Sequence, residues 1–164
     1  MPSAVNQQYQ KYVKDRLGKE RWEHTTGVVE CAKRLQSHYE QLTGLPLDRI
    51  ALLHDNAKNL DKNKQKELAD QFLSGMSELD TSLPGLWHAY ASGQSMIEDL
   101  DFPREHDEVR VVAYHPTGCS PVSPLMKGLL VADFSEPNRS FEKAHELRNR
   151  FGNDSLDTLC REVL

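Results

Sequence analysis

Along this chain apolar residues return every third or fourth position, and no stretch shows the period-two alternation of a half-buried strand. The pattern predicts an all-helical fold. A first helix covers roughly residues 7–17, with Gly18 as its stop. A second covers roughly 21–42; its inward stripe reads His24, Val28, Cys31, Leu35, Tyr39 and Leu42, and Thr43-Gly44 closes it. Pro46 opens a third, with Ile50, Leu53, His54 and Ala57 on one face. Residues 59–85 read as polar and irregular around a short helix near 62–73, and Pro84-Gly85 punctuates the start of a helix over about 86–99. Further helices are expected over about 105–114 and from Pro124 to about residue 134, separated by the loop Pro116-Thr117-Gly118-Cys119-Ser120-Pro121. Glu136-Pro137-Asn138 is a turn, and one or two helices finish the chain. No repeat, low-complexity tract or linker interrupts it, so residues 1–164 read as a single domain, long enough to bury a sizeable core.

Composition then narrows the class of function. Hydrophobic residues at 38% and charged residues at 27% are ordinary for a globular chain and exclude a fibrous repeat or a disordered segment. A formal charge of −5 argues against a nucleic-acid partner, which needs a basic footprint. The early basic residues Lys11, Lys14, Arg16, Lys19 and Arg21 are interleaved with acids and read as a solvated helix face. Cys31, Cys119 and Cys160 lie far apart with no Cys-x-x-Cys pair, so neither a disulfide framework nor a thiolate zinc site is expected. The polar N-terminus lacks a signal-peptide core, and no apolar run approaches a membrane span. The expectation is a cytoplasmic protein without a membrane partner.

The chemistry concentrates in histidine and aspartate. Of seven histidines, four fall on or at the ends of apolar segments. His24 lies on the inward stripe of its helix, and His54-Asp55 closes Ile50-Ala51-Leu52-Leu53. His88 follows Trp87 at a helix start, His115 ends the segment carrying Val109, Val111 and Val112, and Asp133 follows Leu129-Leu130-Val131-Ala132. A carboxylate or imidazole in such places is costly unless paired or bound to a cation. Singly, each has an ordinary explanation as a hydrogen-bonded core residue, a chance dipeptide or a helix-end carboxylate. The ordered set points instead to a divalent metal centre, with imidazole favouring iron, zinc or nickel and carboxylate favouring manganese. His38, His106 and His145 read as surface residues, and Trp87 and Tyr90 as core aromatics rather than base-stacking platforms. No GxxxxGK[ST] loop is present, which leaves P-loop nucleotide chemistry unsupported.

The order His24…His54-Asp55…Asp133 resembles the HD superfamily of metal-dependent phosphohydrolases. The surrounding words are Arg21-Trp22-Glu23-His24-Thr25, Leu52-Leu53-His54-Asp55-Asn56-Ala57-Lys58, Tyr114-His115-Pro116-Thr117-Gly118, and the run from Leu130 through Ser135-Glu136-Pro137-Asn138 to Arg139. They resemble the YqeK subfamily of bacterial HD proteins, symmetrical hydrolases of diadenosine tetraphosphate, over roughly residues 20–151. Two departures stand out: Pro116 replaces the first threonine of a Thr-Thr-Gly word, and the C-terminal segment is shorter than the family's.

The resemblance implies a single-domain helical bundle of the HD type and a hydrolase of phosphoric anhydrides. It implies two divalent metal ions, iron first, with manganese, nickel or zinc compatible. Asp55 would bridge them as the catalytic carboxylate; His24, His54 and Asp133 would complete one ion's ligands, and His88 and His115 the other's. Two cations a few ångströms apart polarise a phosphoryl oxygen and lower the pKa of bound water. The implied substrate is a small-molecule dinucleoside polyphosphate cut into two ADP, and a homodimer is compatible. Lys58, one turn after His54, and Arg139, after Asp133, are candidate phosphate contacts, with Thr117 and Gly118 offering a hydroxyl and close backbone approach. The same ligands would also serve a nucleoside 5′-monophosphatase, a deoxynucleotide triphosphohydrolase or a nucleotide-sensing module without turnover.

Overall fold

Four helices of this chain begin at a residue whose side chain accepts a free N–H of the first turn. Asp61 accepts from the backbone of Lys64, Ser123 from Met126 and Ser155 from Thr158, while Ser77 and Asp80 form a reciprocal capping box. The computed structural model describes residues 4–164. Its α-helices are α1 (Ala4–Arg16), α2 (Lys19–His38), α3 (Leu47–Leu53), α4 (Lys62–Leu73), α5 (Glu78–Thr81), α6 (Trp87–Leu100), α7 (Asp107–Tyr114), α8 (Pro124–Ser135), α9 (Glu142–Asn149) and α10 (Leu156–Val163). Among the described residues there is no strand, only an isolated bridge between Phe151 and Asp154. The all-α single-domain bundle expected from the periodicity is what forms. No helix of the described residues is long and apolar enough to cross a membrane.

α2, α3 and α8 pack on one another at the centre, α9 and α10 cover α8, and α6 lies between α4 and α7. The core they enclose includes Leu35, Leu47, Ile50, Leu53, Met126, Leu129 and Leu159, all fully buried. Each such side chain contributes about 1.5–3 kcal/mol by leaving water. α8 approaches α3 closely because residue 128 is glycine: a Cβ there would stand 2.8 Å from a methyl of Leu47. Tyr90, 8% exposed, stacks on Phe72, and the Trp87 indole N–H donates to Asp80, so both aromatics serve packing.

Three boundaries differ from the sequence expectation, each for a tertiary reason. α2 stops at His38 rather than near residue 42, because the Tyr39 hydroxyl donates to the Asp154 carbonyl and accepts the Gly152 N–H. α3 stops at Leu53. Beyond it the chain tightens into three-residue turns, where Asn56 donates to the carbonyls of Leu53 and Ser92, and the Ser92 hydroxyl accepts the Ala57 N–H. Gly18 is the extended N-cap of α2, its N–H donated to Asn59, instead of a left-handed stop to α1.

Candidate metal centre

The packing of α2, α3, α6, α7 and α8 delivers six side chains to one place. His24 comes from the interior of α2; His54 and Asp55 lie in the turns just past α3, and His88 in the first turn of α6. His115 caps the end of α7, and Asp133 lies in the last turn of α8. His54 is fully buried, Asp55 is 3% exposed, and His88 and His115 are 6% and 4% exposed.

The four rings lie edge to face, and each engages its Nδ1 with an acceptor. The Nδ1 of His54 meets the Ala51 carbonyl at 2.6 Å, that of His88 the Gly85 carbonyl at 3.0 Å, and that of His115 the Val112 carbonyl at 2.7 Å. The Nδ1 of His24 meets a carboxylate oxygen of Glu136 at 3.2 Å. These partners only accept, so each Nδ1 carries the hydrogen and donates it. Each ring therefore turns its Nε2 inward, as a bare lone pair wherever the ring is neutral.

Inside that ring the Asp55 carboxylate divides its oxygens. Oδ2 lies 3.4 Å from His54 Nε2 and 3.9 Å from His24 Nε2, while Oδ1 lies 3.4 Å from both His88 Nε2 and His115 Nε2. Asp133 Oδ1 stands 3.0 Å from His24 Nε2 and 3.6 Å from His54 Nε2. Two sets, His24 with His54 and Asp133, and His54 with Asp55 and His115, place their donor atoms within 4.8 Å of one another.

The residues fit a bound cation by a direct criterion. His24 Nε2, His54 Nε2 and Asp55 Oδ1 are buried and have no hydrogen-bond partner, and their convergence on one place is what a cation meeting those lone pairs would resolve. Electrostatics agree. Burial works against a charged His54, yet Asp55 and Asp133 beside it push its pKa up to about 10. Burial would likewise raise the two aspartates, but the facing histidines hold both well below the usual carboxylate range. The centre stabilises positive charge, as a proton or as a metal ion.

Cations also stand at its rim. Arg21 places a guanidinium nitrogen 3.0 Å from Asp55 Oδ2, and Arg139 donates to the Asp133 carbonyl at 2.9 Å and to its Oδ1 at 3.2 Å. Arg21, His24, Glu136, Arg139 and Phe141 line a cleft of about 320 Å³ beside the centre. A larger cleft of about 510 Å³, bordered by Trp22, Lys33, Arg49 and Leu52, holds none of the six residues; converging lone pairs locate the site here, not cavity size. Lys58 is half-buried in the turn after Asp55, and burial draws its ammonium pKa down while Asp55 opposes the shift.

Thr117 and Gly118 make local bonds. The exposed Thr117 hydroxyl donates to the Gly118 carbonyl, and the Gly118 N–H caps α7 on the Tyr114 carbonyl at 2.7 Å with φ at +71°. Two residues of the site were not expected there: Arg21, read from the sequence as part of a solvated helix face but found paired with Asp55, and Glu136. Arg21 could have been found, since it lies one turn before His24 on the same helix face. Glu136 reads as an ordinary turn residue, and nothing local marks its partner.

No family model matches the chain. It is 33% identical over 147 residues to the symmetrical bis(5′-nucleosyl)-tetraphosphatase of Halalkalibacterium halodurans, covering 87% of this chain and 74% of that protein. It is 28% identical over 151 residues to the enzyme of the same name from Bacillus subtilis, covering 92% of this chain and 80% of the relative. Among solved structures, an HD superfamily hydrolase of Clostridium acetobutylicum described as involved in NAD metabolism superposes with a TM-score of 0.81 at 27% identity, over 93% of this chain and 79% of that one.

Proposed function

The chain belongs to the symmetrical bis(5′-nucleosyl)-tetraphosphatases of the HD superfamily, and from that membership we propose that it hydrolyses diadenosine tetraphosphate to two ADP. The observation that supports this reading best is the sorting of four imidazoles about the two oxygens of Asp55. His24, His54 and Asp133 would hold one divalent ion, His88 and His115 a second, and Asp55 would offer one oxygen to each. Iron is the preferred metal, with manganese, nickel and zinc accepted by the same donors. A cation pair bound there polarises phosphoryl oxygens and makes water a nucleophile at neutral pH.

The rest is the work of the chain's own groups. The four Nδ1 hydrogen bonds fix each ring before any ligand arrives, so no reorientation is needed at the moment of reaction. Arg139 and Arg21 border the adjoining cleft, where guanidinium groups pair with phosphate oxygens in bidentate fashion. Lys58 adds a third cation on a chain whose net charge is −5, which concentrates positive potential where a polyphosphate must sit. The Thr117 hydroxyl and the Gly118 N–H are engaged in local bonds, so in this reading the three cations carry the phosphate contacts. In the reaction, one water oxygen joins an inner phosphorus and the bond from that phosphorus to the central bridging oxygen breaks. Each half leaves as ADP.

The test is product analysis. Iron-loaded protein is incubated with diadenosine tetraphosphate and the products are resolved by chromatography. ADP as sole product is expected. ATP with AMP would keep the centre but overturn the symmetrical register, and no product with metal bound would overturn the substrate.

A further inference from the structure

Three of the four inward histidines take their orientation from a backbone carbonyl three residues earlier, at or beside a helix end. His24 is placed differently. It sits inside α2, where the carbonyls one turn back serve the helix's own ladder. Its Nδ1 reaches instead across 112 residues to Glu136, whose side chain is 2% exposed. The other Glu136 oxygen accepts the Asn138 backbone N–H at 2.8 Å, and Arg148 donates to the carbonyls of Ser135 and Glu136, fixing the segment. This carboxylate has room only because residue 27 is glycine. A Cβ there would stand 2.0 Å from Glu136 Oε2. Glycine inside a long helix is otherwise disfavoured against alanine, so its presence needs a reason.

We propose that Glu136, admitted by Gly27, is a positioning residue acting through His24, and that it makes the His24/His54/Asp133 end bind its divalent cation more tightly than the His88/His115 end. The proposal rests on the two-cation reading above. A carboxylate on Nδ1–H fixes the tautomer and enriches the electron density at Nε2 more than a neutral carbonyl does. One end of the centre thus has Asp133 as a ligand and a second carboxylate behind His24; the other has two imidazoles oriented by carbonyls and only its share of Asp55. Glutamine cannot replace Glu136 faithfully. The carboxylate accepts from both His24 and Asn138, whereas an amide must turn its NH₂ toward one of those donors.

The experiment titrates the full chain, stripped by chelation, with manganese(II), following the free ion by electron paramagnetic resonance and the heat by calorimetry. Two unequal affinities are expected. Glu136→Gln and Gly27→Ala should each weaken the tighter one by about 10–100-fold, leaving the weaker one and the helical circular dichroism unchanged. His88→Ala should remove the weaker one instead. Two equal affinities in the wild type, or wild-type affinities in Glu136→Gln, would overturn the proposal and leave the two-cation reading standing. A wild type that binds no manganese(II) overturns both. Should Gly27→Ala not fold, Glu136→Gln decides alone.

Discussion

Charge is buried in two regions of this molecule, and they are built on opposite principles. Glu108 of α7 is 2% exposed, yet the Arg49 guanidinium meets both its oxygens, one from Nε at 2.8 Å, and rests over the Phe102 ring. Every acceptor there has a donor, and the pair is closed. At the metal centre the acceptor atoms of the six side chains outnumber the donors that meet them. Three of their atoms have no partner, and the nearest donors are Arg21 and Arg139 at the rim. Burial of polar groups is common to both regions. What separates a structural ion pair from a binding site is the imbalance between donors and acceptors.

The largest effect should come from removing the group on which that imbalance turns. Asp55→Ala takes away the carboxylate whose two oxygens face the two pairs of histidines. Metal analysis after gel filtration should show the loss of bound cation, and turnover should fall by at least about a thousandfold. Full activity in this variant would sink the proposed centre. The matching change at the closed pair is Arg49→Met, which strands the buried Glu108. It should cost about 3 kcal/mol and lower the melting temperature by roughly 6–12 °C, with metal content and KM unchanged. Loss of metal in Arg49→Met would show that the two regions are coupled.

A third contrast is in pH. In the metal-free chain His54 is raised from 6.5 to about 10 by its two carboxylates, against the opposing effect of burial. Its contribution to stability is therefore complete below about pH 6.5 and is lost as pH rises toward 10. Asp55 and Asp133 are depressed, so theirs is present above about pH 4 and lost on acidification. Together these groups stabilise the metal-free chain best between about pH 4 and 6.5. A cation must displace the His54 proton, so its affinity should rise with pH by up to about tenfold per unit across the neutral range. Melting curves of stripped protein at pH 5.5 and 8.5, with manganese(II) titrations at pH 6.5 and 7.5, check both signs. The Arg49 guanidinium, held up by its hydrogen bonds to Glu108, stays charged throughout and adds no step.

Periodicity revealed the helices because an apolar stripe of period 3.6 is a local property. The six polar intrusions into those stripes were visible for the same reason, and the structure brings all six together. What escaped was set by contacts distant in the chain. The early end of α3, which frees His54 and Asp55 to turn inward, depends on Ser92. The orienting carboxylate of His24 comes from Glu136, and its space from Gly27. Each is an ordinary residue in its own window, and only the fold gives it a partner.

The smallest effects should separate the two groups of candidate phosphate contacts. Arg139 is tied to Asp133 by two hydrogen bonds and lines the cleft beside His24, so its charge faces the path of a polyphosphate. A charge-assisted hydrogen bond to phosphate contributes about 1.5–3 kcal/mol, so Arg139→Ala should raise KM by roughly 10–100-fold. Thr117 points its hydroxyl at the neighbouring Gly118 carbonyl, and a Cβ on Gly118 would meet Leu164 and Leu130, so this turn leans on the core around α8 and α10. Thr117→Val therefore forfeits one exposed local bond, and KM should stay within about threefold of wild type, since such a bond is worth less than about 1 kcal/mol. A tenfold rise would mean that the loop after His115 swings onto the substrate, and Pro116 would then be the residue to vary next.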